Sequence, residues 1–335
     1  MNKIASIAKK AGLDGFLLLL ISMIGLAYIW PYPGMKSSPV PLGDIATYGV
    51  SVVFFFYGLR LSPEKLRAGL SNWRLHAMIH LSTFVLFPLI ALACRPLFVG
   101  EENEMLWLSI FFLTTLPSTV SSAVVMVSIA NGNIPAAIFN ASISSLMGVF
   151  ITPLWMGLVL DTASGHFDLM GVVGKLSLQV VLPVALGLFL NKKWGYFAEK
   201  NRTKIRYFDQ STILLIVYTS FCESFGEHLF SGFEIKDIVL LGIGMISLFF
   251  LIYMVLTFFS RLLNFNREDE ITAVFCGSKK SLIQGAVMSK VLFSGAAYAG
   301  VMLLPIMLYH ALQLIAASVL AQRMARESLK ITDSE

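Results

Sequence analysis

The stretch CGSKKSL, Cys276 to Leu282, sets two lysines side by side inside an otherwise apolar run. A lysine at the centre of a membrane span costs about 2.5–3.5 kcal/mol on insertion scales, so its default reading is functional. Three kinds of chemistry are open to Lys279 and Lys280. An ammonium can replace a metal cation and hold carbonyl groups together, a buried lysine can exchange a proton during a cycle, or an ammonium can pair with the acid group of a substrate. Neighbouring residues on a helix point about 100° apart, which places one lysine toward a cleft and the other toward the core. The competing reading is snorkelling, with both side chains reaching headgroups from a span that begins later. Apolar turns on both sides, ITAVF before the pair and LIQGAVM after it, favour the central placement.

The lysines follow Gly277 and are flanked by Ser278 and Ser281, a composition that predicts a break in the helix. A second break is predicted in LPSTVSSAVVM, where Pro117 is followed by Ser118, Thr119, Ser121 and Ser122. Proline removes a backbone donor and crowds the preceding turn, while hydroxyls satisfy the freed carbonyls. Two interrupted spans at corresponding places point to the central site of a transporter, and half-helix N-termini meeting there favour an anion. The bland alternative is a proline kink whose hydroxyls bond back to their own turns.

Other polar residues carry weaker signals. Asn140, Ser144, Ser145 and Gln284 are candidates to line a cleft, although small polar residues also glue helices together. His310 and Gln313 are within reach of the second break, while His76 and His80, spaced i and i+4 without a following glutamate, are assigned to headgroup contact rather than to a metal. A Ser278–Lys279 hydrolytic dyad is disfavoured because adjacent side chains do not meet well for proton transfer. Aromatic runs such as VVFFFYG read as lipid-facing or packing surface.

These elements belong to a membrane protein. The chain is 56% hydrophobic and only 13% charged, with a mean hydropathy of +0.76, which excludes an ordinary soluble domain. The apolar runs do not alternate as a β-barrel requires. They divide into ten predicted spans, approximately 15–30, 45–59, 73–94, 105–130, 134–160, 171–190, 208–222, 238–260, 270–290 and 296–320. Basic residues gather at the N-terminus, in the segments 60–74, 192–206 and 261–267, and in the C-terminal tail. The opposite side holds Lys36, Arg95, Lys175, Lys236 and Lys290, so both termini are expected in the cytoplasm of a bacterial inner membrane. The first apolar segment is read as a retained span, because no small-residue cleavage site precedes WPYP. Five spans end near Leu160, which permits two inverted halves, 1–160 and 161–335, divided at DTASGHFDLM rather than at the linker-like NKKWGYFAEKNRTKIRYF. Cys94, Cys222 and Cys276 have no metal-ligand or disulfide spacing and are assigned to packing.

FFFYGLRLSPEKL, LPSTVSSAVVMVSIANGN and FCGSKKSL resemble the bile acid:sodium symporter family, in its divergent bacterial and vertebrate branch, over nearly the whole chain. The resemblance implies an all-α fold of ten spans in two inverted repeats. Spans 1, 2, 6 and 7 would form a panel, spans 3–5 and 8–10 a core, and spans 4 and 9 would be unwound and crossing. It implies an organic anion as substrate and alternating access as mechanism. Sodium-coupled members line their ion sites with hard oxygen side chains. Anchored on Asn131–Asn133, the corresponding positions here are Ala123, Val124, Ala137, Ala141 and Cys276, with Lys280 at the place of a glutamine. A register shifted by a residue or two would restore Ser121, Ser122, Asn140 or Ser142. Sodium or proton coupling are both open, with sodium disfavoured, and no cofactor or nucleic-acid partner is expected. A transport-deficient membrane regulator on the same scaffold is the alternative function.

Overall fold

A computed structural model describes residues 15–61, 72–98, 100–164, 169–228, 234–293 and 298–332, and every regular element among them is helical. Six of these helices are long and apolar enough to cross a membrane, and Leu18–Ile29 is a shorter apolar helix. The expected basic N-terminus, Lys65 and Arg67, and the centre of the DTASGHFDLM loop lie outside the described residues.

In chain order the helices are α1 (Gly15–Ile29), α2 (Leu42–Arg60), α3 (Trp73–Leu97), α4 (Glu101–Thr115), α5 (Ser121–Ile129) and α6 (Ile134–Ser164). They continue with α7 (Leu169–Leu176, a π-turn at Ser177–Val181, then Leu182–Lys200), α8 (Arg202–Gly226) and α9 (Ile235–Leu262). The last three are α10 (Arg267–Gly277), α11 (Leu282–Leu292) and α12 (Ala299–Thr332).

Two packing groups emerge. Helices α1, α2, α7 and α8 pack on one another, and α3 to α6 pack with α9 to α12. The α2–α7 crossing is a backbone contact. A β-carbon on Gly58 would stand 2.2 Å from the Val184 carbonyl oxygen, and one on Gly187 would stand 2.2 Å from that of Phe55. Only glycine lets the two helices approach that closely.

Two expected boundaries shift. The linker-like stretch is helical, with α7 running to Lys200 and α8 starting at Arg202 around a bend at Asn201. Likewise α12 runs well past Leu320, through AQRMARESLK. Lysine, arginine, glutamate, glutamine and alanine are good helix formers, so the helices continue where the apolar composition stops. Hydropathy marks the lipid-immersed part of a helix and not its end.

Candidate functional site: two helix interruptions joined by a lysine

Both predicted breaks are present. Helix α4 ends at Thr115, Leu116 turns to extended backbone, and α5 begins at Ser121. Helix α10 ends at Gly277 and α11 begins after Ser281, itself extended, whose hydroxyl accepts from the Gln284 N–H at 3.3 Å and caps the new helix. The interruptions touch directly, with Ser281 N–H donating to the Pro117 carbonyl at 3.0 Å.

Each break frees carbonyls that need donors in a water-poor interior. The Ser118 hydroxyl donates to Cys276 O at 2.6 Å, Ser82 to Gly277 O at 3.1 Å, Tyr309 to Ser278 O at 2.7 Å and Thr152 to Thr115 O at 2.8 Å. Ser144 on α6 accepts from the Ser118 N–H at 3.0 Å. Gln313 on α12 makes a reciprocal pair with Lys280, accepting from its N–H at 2.9 Å and donating to its carbonyl at 2.8 Å. His310 joins through Gln313, 3.2 Å away.

The Lys280 side chain completes the arrangement. Its Nζ donates to Thr114 O at 2.6 Å, Leu116 O at 2.7 Å and Thr83 O at 2.7 Å, so all three of its N–H groups are used. Two of these carbonyls lie at the C-terminal end of α4, where the helix dipole favours a cation. The third lies in a π-helical turn, Ser82–Leu86, where the wider i→i+5 spacing loosens the carbonyl ladder. The Phe87 ring centroid lies 4.2 Å from the same ammonium, which adds a cation–π contact. No carboxylate takes part in these contacts. Helix-end dipoles and an aromatic face carry the charge.

Lys279 is placed differently. Its Nζ donates to Ser122 O at 3.0 Å and lies 5.8 Å from the Phe275 ring, and no other hydrogen bond is made by this ammonium among the described residues. Both lysines are fully enclosed, at 0% and 1% exposure, so neither reaches a headgroup. The expectation that one faces an open cleft is not met in this conformation. The Gln284 amide oxygen is also buried and takes no hydrogen bond among the described residues.

The remaining candidates fall as follows. Thr119 is buried and accepts from the Ser122 hydroxyl at 3.3 Å, and Ser121 contributes the first residue of α5. The Ser278 hydroxyl donates back to Val274 O at 2.7 Å while Lys279 turns to Ser122, so no serine–lysine dyad forms. Asn140 is fully buried; its amide donates to Ala136 O at 2.8 Å and its oxygen faces His76 Nδ1 at 3.1 Å. His76 is buried and both His80 ring nitrogens are enclosed without partners among the described residues, which replaces the expected headgroup contact. The reason is that α3 packs by this face against α6 and α10. Ala123, Ala137, Ala141 and Cys276 are all fully buried, and among the described residues no three His, Cys, Asp or Glu side chains gather as a metal site.

Sequence reasoning missed several participants, among them Ser82, Thr83, Phe87, Thr114, Thr152 and Tyr309. Thr83 and Tyr309 are one carbonyl and one hydroxyl on apolar helices with no motif around them, and only the π-turn gives Thr83 its role. Phe87 is one of many phenylalanines and carries no sequence signal of its own.

A helical membrane protein in which two broken helices meet around buried charge has the architecture of a transporter rather than an enzyme. The chain belongs to the SBF-like CPA transporter family, whose model matches residues 14–326. It is 38% identical to the putative symporter YfeH of Escherichia coli over 320 residues, 94% of each chain. An uncharacterized protein of Pseudomonas aeruginosa is 41% identical over 315 residues, 93% of each chain. Sodium/bile acid cotransporter 7 of Mus musculus is 30% identical over 323 residues, 93% of this chain and 92% of that one. The bile acid:sodium symporter resemblance is thereby established, and with it membrane transport.

Proposed function

We propose that the protein is a secondary active transporter of an organic anion, working by alternating access, in which the Lys280 ammonium takes the place of a coupling sodium ion at the crossing. The observation that carries this reading is the set of three backbone carbonyls around Lys280 Nζ, at 2.6–2.7 Å. Such a shell of carbonyl oxygens on broken helices is what a small cation would require, and here a covalently attached cation fills it. Lys280 then holds the crossing together, while Lys279, with two N–H groups unused among the described residues, and the Gln284 amide oxygen, without a partner among them, are the groups left to meet a solute. The similarity to a putative symporter and to a sodium/bile acid cotransporter supports an organic solute.

The same reading takes the chain as ten spans in two inverted halves, 1–160 and 161–335, with both termini cytoplasmic in a bacterial plasma membrane. Helices α1, α2, α7 and α8 act as the panel and the others as the core. Alternating access would then hinge on sliding between the two packing groups. The test is solute flux into proteoliposomes of the full chain with sodium or potassium outside, comparing wild type with Lys279→Gln. Flux that is equal in both salts and falls at least tenfold in the variant is expected. Flux that requires sodium would return the protein to ordinary sodium symport, and absence of flux for every organic anion offered would favour the regulator.

A further inference from the structure

Away from the crossing, a cavity of about 220 Å³ lies where α2 begins, α8 and α11 end and α12 begins. It joins the two packing groups and collects charges that are far apart in sequence: Lys36, Asp44, Glu223 and Lys290. Two of these, Lys36 and Lys290, are among the few basic residues on the side opposite the basic loops.

Two groups facing this space lack partners among the described residues. The Lys290 ammonium, half-buried near the end of α11, makes no hydrogen bond and no ion pair within 4 Å among the described residues, although Lys36, Glu223 and Asp44 are all near enough to act on its charge. The Ser220 hydroxyl is buried and takes no partner among the described residues, with its residue 3% exposed. A buried hydroxyl without a partner carries a desolvation cost, and an ammonium has three donors to place. On the carboxylate side, among the described residues the Glu223 carboxylate accepts only from the Lys36 backbone N–H, and Asp44 makes no ion pair within 4 Å. Gly43 forms part of the wall, and a β-carbon there would approach Lys290 Nζ to 3.4 Å. The space holds roughly seven waters at ~30 Å³ each, enough for a solute of several heavy atoms.

We propose that this cavity binds a small zwitterionic solute, its acid group on Lys290 and Ser220 and its ammonium toward Glu223 and Asp44. A simple anion would leave the two carboxylates opposed to it, whereas a zwitterion matches both signs. This cavity is a solute site separate from the Lys279 and Gln284 groups assigned to the organic anion, and its use in transport rests on the transport reading.

The test is calorimetric titration of the purified full chain with the ω-amino acids from glycine to 5-aminopentanoate. The carbon-matched carboxylates and alkylamines serve as comparators. At least one member of the series should bind saturably, and its comparators at least tenfold more weakly. Lys290→Met should weaken that binding at least tenfold. Ser220→Ala should weaken it several-fold while leaving the melting temperature unchanged or raised, because it removes only an unpartnered hydroxyl. Failure of the whole series to bind, binding indifferent to Lys290→Met, or a carboxylate binding as tightly as its amino acid would each overturn the proposal. Binding without flux in proteoliposomes would sink the transport reading and leave this one standing. Flux with no binding in the cavity would do the reverse.

Discussion

The N–H of Ser281 and the carbonyl of Pro117, 164 positions apart in the chain, meet at 3.0 Å and tie one helix interruption to the other. Proline can give no N–H of its own, but its carbonyl is free because the helix has already ended. The break that proline causes therefore supplies the acceptor that the second break uses. Around this link every freed carbonyl described above finds a donor, and Lys280 supplies three of them.

Replacing Lys280 should be the most damaging single change at the crossing. Lys280→Met removes the ammonium and leaves three buried carbonyls without this donor, at about 1–3 kcal/mol for each acceptor left unsatisfied. A large fall in melting temperature of the detergent-solubilised protein is the expected readout. Lys280→Ala leaves the same carbonyls beside a space, so methylammonium at tens of millimolar should recover part of the loss. Equal melting temperatures for wild type and Lys280→Met would refute the role given to this residue.

Gln313 holds the Lys280 backbone from both sides, and Gln313→Leu removes both bonds at once. The expected loss is about 2–3 kcal/mol, from two hydrogen bonds and the groups they leave buried. Chemical denaturation should show it. Gln313→Glu keeps the acceptor and loses the donor, and should fall between leucine and wild type.

Gly58→Ala and Gly187→Ala should each force α2 and α7 apart, since the added carbon would stand 2.2 Å from a backbone oxygen that cannot rotate away. Overpacking of this kind costs about 1–3 kcal/mol. Gly25→Ala is the control, with nothing within 4 Å of the added carbon, and should be neutral or slightly stabilising. If all three behave alike in thermal unfolding, the close backbone approach is not a constraint.

Sodium should not stabilise the protein specifically. Ala123, Ala137 and Ala141 are buried and carry no oxygen on their side chains. Melting curves in matched sodium and potassium chloride series should therefore superimpose. A saturable sodium-only shift would show that oxygen ligands from elsewhere hold the ion.

The extent to which the site was legible differs by residue. Pro117, Gly277 and the serines around them announced both breaks, because losing a backbone donor or gaining a conformationally loose residue is a local event that composition records. The lysine pair announced itself by cost alone. The histidines misled, because i, i+4 spacing near a predicted span edge says nothing about which face the neighbouring helices cover. His76 in fact faces Asn140 and the Phe139 ring, whose centroid is 4.5 Å away.

The sequence by itself determined that this is a helical membrane protein of a transporter family with two broken helices, because partition into lipid and backbone hydrogen bonding depend on residue type and near neighbours. Only the tertiary structure decided which lysine is saturated and which is not. Thr83, Thr114 and Leu116 are brought to one ammonium by the packing of α3, α4 and the α10–α11 break. No local rule sets that meeting: it follows from long-range packing that leaves those carbonyls unpaired in one enclosed place.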